Sequence, residues 1–108
     1  MSELTDEELD RRFRALVDEL IDSANAHCAA EHKENVGLAM LYAAARFNAF
    51  VVASHAENLE KYQADYESAR DYFVDEYRRM LVENLQDYES VLRNAGPYAH
   101  LMKSDGPE

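Results

Sequence analysis

The sequence predicts an all-α fold: an antiparallel three-helix bundle with a buried middle helix, a long third helix that either kinks or breaks or outruns the bundle, and a short C-terminal tail. Three observations lead there. The chain has 3 Gly and 2 Pro, and both Pro and two of the Gly lie at or after position 96. Almost nothing between Thr5 and Ala95 therefore interrupts a helix. Apolar residues make up 47% of the chain and recur at steps of three and four, the period of one helix face. Charge is spread unevenly: residues 36–56 hold one base and no acid, against 10 acids and 4 bases in 1–35 and 12 acids and 6 bases in 57–108. A middle segment that is apolar on every side belongs between neighbours. At 108 residues the chain suits one helical domain over 1–95, followed by a tail over 96–108.

The first helix is expected from about Asp6 to about Ala30. Thr5 followed by Glu8 forms a capping box, inside an acidic first turn that suits the helix dipole. Leu9, Phe13, Leu16, Val17, Leu20, Ile21, Ala24 and Cys28 make its apolar stripe, with Asp10, Arg14, Asp18 and Asp22 turned elsewhere. The polar run His32-Lys33-Glu34-Asn35 reads as a break, with Asn35 as N-cap of a second helix from about Val36 to about Ser54. Ser54 and Glu57 can form a further capping box. The third helix then runs from about Glu57 to about Asn94, and its stripe includes Leu59, Tyr62, Tyr66, Phe73, Tyr77, Met80, Leu81, Leu85, Tyr88 and Leu92. Glu57–Lys61, Asp75–Arg79 and Glu89–Arg93 suit its solvated face as i,i+4 pairs. Continuous, this helix would be about 57 Å long against about 29 Å for the second. Either it kinks or breaks, or its far end packs outside the bundle. Asn94-Ala95-Gly96-Pro97 is a helix stop, and the tail from Tyr98 docks locally or frays.

The formal net charge of −11, from 22 acids and 11 bases, makes the chain a poor binder of nucleic acid or anionic membranes. One cysteine, Cys28, excludes an internal disulfide framework. The acidic N-terminus lacks the basic and apolar regions of a secretory signal. Arg46 and Asn48 interrupt the longest apolar stretch, and an arginine at the centre of a membrane span costs about 2.5–3.5 kcal/mol on insertion scales. The expected setting is cytoplasmic, with no membrane.

The run Tyr42-Ala-Ala-Ala-Arg-Phe-Asn-Ala-Phe50 resembles a bacterial family of short helical proteins known only as a domain of unknown function. Tyr72-Phe-Val-Asp-Glu-Tyr-Arg-Arg-Met-Leu-Val-Glu-Asn-Leu85 is similar to that family's second characteristic segment. The resemblance covers roughly Phe13 to Tyr88. It implies a helical fold and a bacterial origin but no activity, so it carries over no catalytic residue.

Catalytic motifs are missing. Gly37 is the one glycine before position 96, so no phosphate loop exists. The residues three before His27, His32, His55 and His100 are Ala24, Ala29, Val52 and Pro97, which excludes the Glu-x-x-His pattern of di-iron bundles. His27, Cys28, Glu31 and His32 offer i,i+4 pairs, but a structural zinc needs four ligands and no second Cys/His cluster accompanies them. No metal, cofactor or catalytic residue is therefore expected. Arg46, the sole formal charge of the second helix, requires a partner if buried. That partner is either an acid or carbonyl of this chain, or an anion held in a pocket with Asn48 and Tyr42. Five of the seven tyrosines lie in the third segment; they are core with hydroxyls at the rim, or an interface. Tyr72, off the main stripe, is the surface candidate, with Met80 and Leu92 toward the overhanging end.

These readings lead to a non-enzymatic protein acting through protein–protein contact as a homodimer, or with another protein partner. A small-molecule or anion-binding protein built around Arg46 is a second expectation. An acidic regulator of a basic partner is a third.

Overall fold

The computed structural model describes residues 3–95. Three helices form, α1 (Asp6–His27), α2 (Lys33–His55) and α3 (Leu59–Ala95), with no strand among the described residues. The tail and the Gly96-Pro97 helix stop lie outside them.

The expected cap on α1 is present. Thr5 Oγ1 accepts from the Glu8 amide at 3.1 Å, and Glu8 Oε1 accepts from the Thr5 amide at 2.8 Å. Two amides that the first turn leaves unpaired are thereby satisfied. A Thr5→Ala variant is expected to lose about 1 kcal/mol of stability, read as a lower midpoint in urea unfolding; an unchanged midpoint would show that α1 frays there anyway.

The other helix ends differ from expectation. α1 stops at His27 rather than near Ala30, with Cys28 as its C-cap. The amides of Ala30 and Glu31 both donate to the His27 carbonyl, at 3.1 and 3.0 Å, tightening the chain into a turn. α2 begins at Lys33, so Asn35 is not its cap. The His32 carbonyl accepts from the Asn35 and Val36 amides instead. Lys33-Glu34-Asn35 is thus the first turn of α2, where polar side chains cost nothing because they remain in water. Nor do Ser54 and Glu57 form a capping box. Ser54 Oγ donates back to the Val51 carbonyl at 2.7 Å, and Asn58 caps α3 by accepting from the Lys61 amide at 2.9 Å.

α3 is one unbroken helix of 37 residues, about 56 Å long. Of the two alternatives, the break is absent because no Gly or Pro falls between positions 59 and 95, and short-range ion pairs run along the helix. Arg78 reaches Asp75 at 3.3 Å, Arg79 reaches Glu76 at 2.8 Å and Glu83 at 3.6 Å, and Arg93 reaches Glu89 at 2.8 Å. Arg79 therefore bonds Glu76 rather than Asp75. The Glu76 hydrogen bond, with its charge, raises the Arg79 guanidinium above its usual value, and Glu83 adds to this. These pairs are exposed or, at Glu76, only half-covered, so each contributes only a few tenths of a kcal/mol.

The chain divides into two compact units. One reaches to Leu41 and holds α1 with the start of α2; the other begins at Tyr42 and holds the rest of α2 with α3. In the first unit the covered side chains include Ile21, Ala24 and Cys28 on α1 and Val36 on α2. In the second they include Asn48, Val51 and Val52 on α2, and Tyr62, Ala69, Phe73 and Glu76 on α3. Ile21, Ala24 and Cys28 on α1 and Tyr62, Ala69 and Phe73 on α3 belong to the apolar stripes the sequence marks.

The middle helix is not buried within the single chain. Val36 is its one buried residue, while Phe47 is 63% and Phe50 61% exposed. A helix that is apolar all round has more surface than the few covered positions Val36, Asn48, Val51 and Val52 take out of water. Across the described residues only Ala24 and Val36 are buried.

Candidate functional site

The residues expected to form a polar site sit on α2. Tyr42 and Arg46 are one turn apart and share a face, because four residues advance a helix by about 40° past a full turn. Two residues advance it by about 200°, so Asn48 lies on the opposite side. The structure agrees with that geometry: Asn48 is half-covered, whereas Tyr42 is 70% exposed and Arg46 is exposed. Arg46 makes no hydrogen bond or ion pair with any described residue. The expected buried site of Arg46, Asn48 and Tyr42 is therefore not assembled within one chain. Tyr42 and Arg46 share an open helix face, joined by Phe50 a further turn along.

A helical spacing of three and four also places Leu9, Phe13, Leu16 and Leu20 in one row on α1. All four are exposed, Phe13 at 60% and Leu20 at 65%. A shallow groove along this row is lined by Leu9, Arg12, Phe13, Leu16 and Glu19. The sequence marks this row as core; its lack of cover in the single chain is what sequence reasoning misses, since periodicity identifies an apolar face but not the molecule that meets it.

On α3, Tyr72, Met80 and Leu92 are exposed, as are Tyr77, Leu81, Leu85 and Tyr88. Tyr72 stacks edge-on against Phe73, with ring centroids 5.1 Å apart. Tyr62 and Tyr66 make a similar contact at 6.0 Å. No polar side chain is buried among the described residues.

The ends of α1 and α2 bear on the His/Cys cluster. Because α1 stops at His27, the helical i,i+4 register does not carry from Cys28 to His32. Among the described residues, no group of three or more His, Cys, Asp or Glu is placed to hold a metal ion. Cys28 is a free, half-covered thiol.

Among the described residues α2 is long and apolar enough to cross a membrane, with 23 residues and an 18-residue stretch of mean hydropathy 1.6, none of which is buried. Length and composition alone pass this test, which core helices of soluble proteins also pass. Arg46 stands near the middle of the span.

The family model described as "Protein of unknown function (DUF3144)" matches residues 13–89. The chain belongs to this family. The DUF3144 match takes in all of α2 and most of α1 and α3, including the Tyr42–Phe50 run and the Tyr72–Leu85 segment on which the resemblance rests. Comparison with curated proteins and with solved structures returns no match.

Proposed function

We propose that this chain is a non-enzymatic protein that works through protein–protein contact, and that its apolar faces are closed by a second copy of itself. The carrying observation is that only Ala24 and Val36 are buried among the described residues. Large apolar side chains stand exposed along all three helices, among them Phe13 and Leu20 on α1, Phe47 and Phe50 on α2, and Leu85 and Tyr88 on α3, a load of apolar surface that a soluble monomer rarely leaves in water. In this reading the antiparallel bundle is completed between copies, α2 becomes its dry centre, and acidic faces remain outward. The overhang of α3 supports the same conclusion: at about 56 Å it outruns α2, about 35 Å long, by some 14 residues.

A bilayer is a poorer match for the same surface. Arg46 disfavours insertion by about 2.5–3.5 kcal/mol, and the flanking helices are rich in acids. The net charge of −11 likewise disfavours nucleic acid, and the setting that suits this chain is the cytoplasm. A pocket for a small anion at Arg46 has little support in a single chain, since that face is open rather than concave.

Light scattering behind a sizing column at micromolar concentration tests the proposal. The expected mass is twice the chain mass or a higher multiple, nearly independent of salt because the contact is apolar. A monomer at every concentration would end it. Dissociation by moderate salt would instead favour an acidic surface engaging basic groups.

A further inference from the structure

Resting on that homo-oligomeric reading, we propose that the Tyr42–Arg46–Phe50 face of α2 receives α1 of a second copy, with that copy's Glu19 carboxylate on the Arg46 guanidinium. Two observations define the problem. Arg46 is exposed and has no partner among the described residues. Nor can α2 itself supply one. Its neighbours one turn away are Tyr42, Ala43, Ala49 and Phe50, and its last acid, Glu34, is about 18 Å distant along the axis. Pairing α2 with another α2 would therefore bring guanidinium toward guanidinium within an apolar contact, which is strongly unfavourable. The carboxylate must come from a different helix.

α1 is the complement. Over Asp6–His27 it has 7 acids and 3 bases, while α2 beyond Asn35 has one base and no acid. Its uncovered row of Leu9, Phe13, Leu16 and Leu20 presents the apolar surface that Tyr42 and Phe50 require. At 22 residues it matches the 23 of α2 in length. Glu19 borders the groove on that row, and it has no hydrogen-bond or ion-pair partner among the described residues. Asp10, by contrast, is already held by Arg14 at 2.9 Å. An arginine fork on a carboxylate in a dry setting also fixes the register of two helices that apolar contact alone would let slide.

Charge exchange, read by sedimentation equilibrium with helicity followed by circular dichroism, tests the pairing. Arg46→Glu and Glu19→Arg are each expected to weaken association by roughly thirtyfold or more. The double variant, with the pair reversed, is expected to regain all but about tenfold of the original affinity. If the natural chain associates and the double variant recovers nothing beyond the single variants, the pairing is wrong while the homo-oligomer stands. A monomeric natural chain would overturn both. Should Arg46→Glu lose its helicity, Arg46→Gln and Glu19→Gln take its place: losses smaller together than their sum support the pair, and strictly additive losses reject it. Co-sedimentation of the natural chain with phosphatidylcholine vesicles would assign the α2 face to a bilayer and also overturn the proposal.

Discussion

Replacing Leu16 by Asp is expected to convert the assembly to monomers, raising its dissociation constant at least a hundredfold. Within one chain Leu16 is exposed, in the row with Leu9, Phe13 and Leu20. A solvent-facing substitution in mid-helix would change stability by no more than about 0.5 kcal/mol if that row met only water. If the row is covered by a second copy, the change removes about 1.5–3 kcal/mol of apolar burial per chain. A symmetric contact doubles this, and the new carboxylate must also be desolvated. The two readings therefore differ by several kcal/mol, or at least a hundredfold in affinity. Sedimentation equilibrium on the variant separates them, and an unaltered association constant would remove α1 from the interface. Leu16→Met, which keeps the volume, should associate normally.

The helices themselves were legible in the sequence because their causes are local. Thr5 with Glu8 announces the start of α1, and the lack of Gly and Pro from 59 to 95 lets α3 run unbroken. The misplaced ends have local causes too. Lys33-Glu34-Asn35 reads as a loop from polarity alone, yet polar residues are at ease in a first turn. Ser54 and Glu57 have the spacing of a capping box, yet Asn58, next to the helix it starts, supplies the cap. The location of the core was less legible. Leu9, Phe13, Leu16 and Leu20 have the period of a buried face whether the covering surface belongs to the same chain or another. The same ambiguity governs Arg46. Its apolar setting implies a partner once it is buried, and within one chain it stays exposed.

A second large effect is expected in the backbone of α2. Amides from Leu38 to Val52 should exchange with deuterium slowly at high protein concentration and markedly faster after dilution. A helix with one neighbour on one arc opens at little cost, because few apolar contacts are lost when its hydrogen bonds break. A helix enclosed by a second copy opens only when the assembly dissociates, so its protection follows mass action, RT ln(1 + [L]/Kd). Each tenfold dilution toward the dissociation constant then lowers the opening free energy by about 1.4 kcal/mol. Hydrogen exchange followed by mass spectrometry at two concentrations a hundredfold apart tests this most directly. Protection of α2 that is strong in the concentrated sample and falls by more than tenfold on dilution is the predicted result. Rapid exchange throughout Leu38–Val52 at both concentrations would contradict the account, because it would mean that nothing covers the apolar surface of α2.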